Sequence, residues 1–368
     1  MANRRSNFLG WFSLLLLLAV VFVGVSPAQA QQQVPVPAAS PIPTLAYYYI
    51  WYNTSSWNRA KMDYPILGKY SSDDISVMRQ QILWAKSAGI NGFIVSWKST
   101  DVLNRRLEQL VQVAEQEDFK LAVIYEGLDF NRDPLPVKTV ADDLDYFVQH
   151  FAGQSVFDIF SKPLMIWSGT WRFTPQEIAQ VTQGSRSSLL ILASERNVAG
   201  YQRLTGLVDG DAYYWSSVNP DTFPGYLDKL SQMSQAVHQD GGIWIPPAAP
   251  GFDATAIGGT TIVSRDNGGT FRTQINTAMS SSPDALGIIS WNEFSENSYI
   301  EPSQNYGFTY LNILSGIDHL PMATVGQFDS SEPVSTFPDP LPYSRLIALV
   351  GLSILVLTGM VVLVIRRH

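Results

Sequence analysis

Eight short apolar, β-prone runs recur through the middle of this chain, and helix-spaced stretches separate most of them. No other feature narrows the possible folds as far. The runs fall at 45–52 (LAYYYIWY), 92–97 (GFIVSW), 121–125 (LAVIY), 163–167, 189–193, 212–215, 242–246 and 286–291. After the first, Ile75, Met78, Ile82 and Ala85 repeat at three and four, with Asp73 and Asp74 as caps and Gly89 as a stop. Leu107, Leu110, Val111 and Ala114 mark a second helix over 103–117, and 140–151 reads as a third. After the fifth run, 198–209 lacks a convincing helical pattern. Strands separated by helices pair in parallel through right-handed crossovers. Eight such units predict an α/β fold closed into a (β/α)8 TIM barrel over 45–320. An open doubly wound sheet is the alternative, but no Gly-rich phosphate loop follows the first run.

Both ends read differently. Residues 1–30 have the layout of a secretory signal: Arg4 and Arg5, an apolar run, then Ala28-Gln29-Ala30 as a cleavage site. An uncleaved signal anchor has a similar layout, and both readings export the chain. A linker is expected over 31–44 and a Pro/Ser-rich one over 321–345. Residues 346–365 carry no charge, and at 1.5 Å per residue they match a bilayer core of roughly 30 Å. Arg366, Arg367 and His368 follow as a cytoplasmic tail under the positive-inside rule. These features predict a single-pass cell-membrane protein, tethered by its C-terminal helix, with an extracytoplasmic and monomeric barrel. A removable sorting signal would share the C-terminal layout. The chain has no cysteine, which excludes disulfides and thiolate metal sites. Its net charge of −8 argues against nucleic acid as a partner.

Polar and aromatic residues gather where the runs end: Trp51, Trp97, Tyr125 and Trp215 among the aromatics, Glu126, Glu195 and Glu293 among the acids. In a barrel those ends form the active-site face. Aromatic rings with a few carboxylates suit sugars, although Trp and Tyr are also ordinary core residues. Glycosidic cleavage needs one carboxyl to protonate the leaving oxygen and a second as nucleophile or base. Glu293 and Glu296 are spaced for that role. If a helical turn follows the last run, they lie on one side, about 5–6 Å apart. Crowding raises one pKa and keeps an acid protonated near neutrality. Glu126 follows LAVIY directly, where a substrate hydroxyl or a cation could satisfy it. Glu195 has Arg196 beside it as a salt-bridge partner. Neither a metal-binding motif nor a G-x-S-x-G elbow is present, and no cofactor is expected.

The block 291–302, WNEFSENSYIEP, resembles the S-x-N-E-W-x-E-x-x-x-I-E-P block of glycoside hydrolase family 99, the endo-acting α-mannosidases and α-mannanases. AYYYIWY, AKSAGINGFIVSW, VIYEG, and GFDATAI followed by the RDNGG that opens with Arg265 extend the resemblance from Leu45 to about Leu314. The resemblance implies that Glu293 is the base toward the sugar 2-hydroxyl and that Glu296 is the acid/base at the leaving oxygen. It also implies Glu126, Asn292 and Tyr47 or Tyr48 as pocket residues, with retention of configuration. Arg265, Trp51, Trp97, Tyr125 and Trp215 complete the expected sugar-binding set. The chain departs from the pattern at Phe294, Ser295 and Asn297, and Trp57 stands without the histidine usual beside it. A related α-glucanase and a non-catalytic glycan-binding surface protein therefore remain as alternatives.

Overall fold

A computed structural model of the chain describes residues 42–316. The expected signal segment, the Pro/Ser linker and the C-terminal membrane helix lie outside them. Among the described residues, no helix is long and apolar enough to cross a membrane.

The first strand, β1 (Thr44–Tyr49), is central to a parallel sheet with β2 (Gly92–Trp97), β3 (Lys120–Glu126), β4 (Leu164–Ser168) and β5 (Leu190–Leu192) on one side. A parallel bridge from Ala193 to Asp211 carries the sheet on to β6 (Gly210–Ala212), which pairs with β7 (Ile243–Ile245). Pro246 alone separates β7 from β8 (Pro247–Ala248). β8 pairs with β11 (Leu286–Ile288), and β11 returns to β1. The circuit closes as eight parallel staves, with β7 and β8 forming one broken stave. The fold is TIM-barrel-like. A small antiparallel ribbon, β9 (Phe252–Asp253) with β10 (Ile262–Val263), decorates the loop after β8.

The helices are α1 (Ile75–Ser87), α2 (Asp101–Gln116), α3 (Val137–His150), α4 (Pro175–Ser185), α5 (Val198–Gln202), α6 (Tyr226–Gln239), α7 (Gly269–Met279) and α8 (Thr309–Ser315). Asp74 caps α1 by accepting from the N–H groups of Ser76 and Val77, as its short side chain at that position suggested. The stretch after β5 holds only the five-residue α5.

Strand residues alternate between two cores, because successive side chains leave a strand on opposite faces. Leu45, Tyr47, Ile94, Ile124, Ile166 and Ile245 fill the barrel. Tyr48, Val95, Trp97, Val123, Tyr125 and Trp167 pack in the layer shared with the helices. Two runs end earlier than expected. The sixth strand is 210–212 rather than 212–215, its start hidden because Asp211 reads as a loop residue. Asp211 is buried, and its Oδ1 accepts from the backbone N–H of Glu195 at 2.7 Å. The last strand stops at Ile288, three residues before Trp291.

Candidate active site

The segment after β11 is anchored at both ends. Trp291 N–H donates to the Tyr47 carbonyl at 2.7 Å, and Glu301 N–H returns to the Trp291 carbonyl at 2.8 Å. Ser290 N–H donates to the Ser298 carbonyl at 2.7 Å, so residues 290–298 form a closed excursion. It is an irregular turn with Asn297 at φ 50°, not the helical turn the glutamate spacing suggested.

Asn292 locks this excursion to the end of β1. Its Oδ1 accepts from Tyr49 N–H at 2.8 Å, and its Nδ2 donates to the Tyr49 carbonyl at 3.0 Å. Tyr52 hydroxyl donates to the Asn292 carbonyl at 2.7 Å. Beneath lies Glu301, which takes Tyr70 hydroxyl at 2.9 Å and Gln81 Nε2 at 2.7 Å. Burial pushes Glu301 up to about 8. With both oxygens engaged, it serves the scaffold.

Glu293 is directed by its own backbone. Its N–H donates to Ser290 Oγ at 2.8 Å, and its Oε1 accepts from Ser295 N–H at 3.0 Å. Burial, then the charge of Glu296, pushes its pKa up to about 8. Glu296 is raised by burial, with Arg132 opposing. On β3, Glu126 accepts from Ser96 Oγ at 2.8 Å and is raised by burial against the pull of Lys98 and Arg132. None of these three glutamates forms an ion pair among the described residues.

A pair of phenols ties them together. The Tyr49 and Tyr214 hydroxyls are hydrogen-bonded to each other. Burial raises both, and the charges of Glu293 and Glu296 act on Tyr49 while those of Glu126 and Glu296 act on Tyr214. The charges of three carboxylates therefore act on one phenol pair at the C-terminal mouth of the barrel. Burial, reinforced at Glu293 by the charge of Glu296, favours a proton on the pair near neutrality. One member can then give a proton while the other takes one.

The expected sugar-binding residues divide into those near this mouth and those elsewhere. Trp51, 39% exposed, stacks on Tyr49 at 4.3 Å between ring centroids. Trp215, 37% exposed, lies under the Arg196 guanidinium at 5.2 Å. Tyr47 is inside the barrel, its ring 4.7 Å from Tyr214, one layer below the carboxylates. Tyr48, Trp97 and Tyr125 are not brought to the mouth. They face the helices, where Tyr48 hydroxyl donates to Gln81 at 2.6 Å, Trp97 Nε1 to Asn104 at 2.9 Å and Tyr125 hydroxyl to Asp143 at 2.9 Å. A one-residue step along a strand reverses the face, and strand ends read as aromatic clusters do not reveal it. Arg265 is also enclosed. Its guanidinium sits 4.4–4.6 Å from the rings of Tyr299, Tyr306 and Tyr310 and donates to the carbonyls of Asn297 and Tyr299. Asn292, fully buried, acts on the backbone of Tyr49. Glu195 pairs with Arg203 at 2.6 Å rather than with its neighbour Arg196.

Tyr49, Ser96, Lys61 and Tyr214 belong to the site without having been singled out. Counting by two from Tyr47 leads to Tyr49, and register pairs Tyr49 with Ser96. Lys61 lies in the irregular stretch between β1 and α1, and only folding brings its charge to Glu293.

In sequence and in fold the chain resembles known proteins. The family model of glycosyl hydrolase family 99 matches residues 52–320. A glycoprotein endo-alpha-1,2-mannosidase-like protein of Danio rerio is 23% identical over 282 residues, 68% of this chain and 62% of that protein. The glycoprotein endo-alpha-1,2-mannosidase of Rattus norvegicus is 23% identical over 275 residues, 68% of this chain and 59% of that protein. The chain thus spans about three-fifths of the length of these curated relatives. An endo-alpha-mannosidase structure from Bacteroides thetaiotaomicron superposes with a TM-score of 0.65 at 22% identity, covering 74% of this chain and 95% of that one. A glycoside hydrolase-like protein superposes with a TM-score of 0.56 at 16% identity, covering 76% of this chain and 94% of that one. At these identities the structural likeness is one of fold.

Proposed function

Since the chain belongs to glycosyl hydrolase family 99, we propose that it hydrolyses an α-linked, mannan-like polysaccharide or glycan with retention of configuration, through Glu293 and Glu296. The observation that carries the reading is the pair itself. Two carboxylates with raised pKa values, Glu293 buried and Glu296 half-buried, share a barrel mouth, and neither forms an ion pair among the described residues.

In the first step Glu293 takes the proton of the sugar 2-hydroxyl, and that oxygen bonds to C1. The C1–O bond to the leaving group breaks as Glu296 gives its proton to the departing oxygen. In the second step Glu296 takes a proton from water, which attacks C1. The C1–O2 bond opens, and Glu293 returns its proton to O2. Two inversions at C1 give net retention. The pair shares a proton near neutrality, and with that proton on Glu296 the raised basicity of Glu293 suits it to take one from an alcohol. Glu126, Trp51 and Trp215 supply sugar contacts around the pair.

Glu293→Gln and Glu296→Gln, assayed on α-mannans and α-glucans with the first product's anomer read by NMR, test this. Each variant should lose at least about a hundredfold in turnover. Glu296→Gln should recover best on an aryl glycoside whose phenol leaves without protonation; the opposite pattern would exchange the two roles. Full turnover in both variants removes the mechanism. We further propose an extracytoplasmic monomer, exported by residues 1–30 and held at the cell membrane by residues 346–365. Release into the soluble fraction on truncation after residue 345 is the expected result.

A further inference from the structure

The mouth that holds the carboxylates also holds cations outside any ion pair among the described residues. Lys98 directly follows β2, Arg132 lies between β3 and α3, and Arg196 follows β5. Lys229 lies in the first turn of α6, and Arg59 and Lys61 lie between β1 and α1. All come from loops or helix starts on the C-terminal side of the strands. None of the six forms an ion pair among the described residues, whereas eight other Lys and Arg side chains each meet a carboxylate. The acids flanking Arg132 are engaged elsewhere. Asp129 accepts from the N–H groups of Asn131 and Asp133, and Asp133 pairs with Arg172 at 2.8 Å.

Several of these cations rest on aromatic faces. The Arg196 guanidinium is 4.3 Å from the Trp171 ring centroid and 5.2 Å from that of Trp215. Lys229 Nζ is 4.5 Å from the Tyr213 centroid, and Lys98 Nζ is 5.0 Å from that of Phe130. Stacked this way, a cation is held in place while donors stay available, although Lys229 Nζ also donates to the Tyr213 hydroxyl at 2.8 Å. They also repel one another. After burial, Arg132 lowers the pKa of Arg196 and Arg196 that of Lys229, while Lys61 is raised by Glu293 and then lowered by Arg59. Lys98 and Arg132 pull on Glu126, Arg132 on Glu296 and Lys61 on Glu293, but none of them forms an ion pair with its acid. A chain of net charge −8 that gathers cations outside ion pairs around its barrel mouth, Lys61, Lys98 and Lys229 half-buried and Arg59, Arg132 and Arg196 exposed, is suited to neutralise anions there.

We propose that the glycan taken by this cleft is acidic, carrying carboxylate, sulfate or phosphate groups on the residues flanking the bond to be cleaved. The inference rests on the reading of the mouth as a polysaccharide site and adds its substrate class. Trp51 and Trp215 would receive sugar faces, while Arg132, Arg196 and Lys61 receive the anionic substituents.

Affinity electrophoresis of full-length Glu296→Gln protein against matched polymers tests it. The pairs are polygalacturonate and its carboxyl-reduced galactan, dextran sulfate and dextran, and phosphomannan and its dephosphorylated mannan. One acidic member should bind at least about tenfold more tightly than its neutral partner, and which pair shows this identifies the anion. Arg132→Gln and Arg196→Gln should each weaken that binding roughly three- to tenfold, with less effect in high salt. Arg272→Gln, on α7, should leave it unchanged. Equal affinity within each pair, binding of none of the polymers, or equal effects of all three substitutions would overturn the proposal. Turnover of the wild-type protein on the same six polymers separates the two readings. Cleavage without acidic preference removes only the substrate class, and acidic preference without cleavage removes only the hydrolase.

Discussion

Replacing Asn292 with alanine tests how the site is held together. Its side chain supplies both an acceptor for Tyr49 N–H at 2.8 Å and a donor for the Tyr49 carbonyl at 3.0 Å, and all three groups are buried. Alanine leaves two backbone groups without partners, each costing about 1–3 kcal/mol, less whatever an entering water restores. A loss of about 2–4 kcal/mol is expected, a large share of the roughly 5–15 kcal/mol that holds a domain together. Asn292→Asp keeps the acceptor but sets a second oxygen against the Tyr49 carbonyl, so it should not rescue. Urea unfolding at pH 7 measures the first quantity. Turnover measures the second, because Glu293 is the next residue and a 1 Å displacement costs on the order of a hundredfold in rate. A loss below about 1 kcal/mol with unchanged turnover would show that Asn292 does not set the geometry.

Three further outcomes are expected. Glu301 is raised to about 8 from 4.5, so folding takes up a proton between those values and stability falls as pH rises through them. Glu301→Gln should flatten the decline of the urea midpoint between pH 5 and 8, and parallel curves for the two proteins would refute this. Asp73 is held well below the usual carboxylate range by Arg106 and Arg105, which outweigh burial, so its contribution is present above the ordinary pKa and disappears in acid. Asp73→Asn should therefore lose most stability at pH 6, and its difference from wild type should shrink steadily as pH falls below about 4, as thermal scans across that range would report. A Cβ at Gly127 would lie 2.3 Å from Trp167 Nε1 and 2.6 Å from the Ser168 carbonyl, so Gly127→Ala should cost about 1–3 kcal/mol and disturb Glu126 beside it. Wild-type stability in that variant would show that β3 and β4 can separate locally.

The sequence alone determined the rhythm of the barrel, because period-two and period-3.6 patterns are local. Ile75, Met78, Ile82 and Ala85 on α1, and the runs of β2 and β3, required no distant partner to be read. It also singled out Glu293, Glu296 and Glu126, since glutamates at the ends of apolar runs violate the local pattern. Tertiary structure decided which neighbours face the cleft. Tyr49 meets Tyr214 across 165 positions, while Tyr48 turns to Gln81 and Trp97 to Asn104. Face depends on register, and register depends on pairing with strands remote in sequence. Arg265 shows the same limit. The family resemblance put it in the expected sugar-binding set, but three tyrosine rings and two carbonyls gathered from separate segments surround it. The convergence of unpaired cations at the mouth was equally hidden, because Lys61, Arg132 and Arg196 lie on loops that only the closed barrel brings to one end.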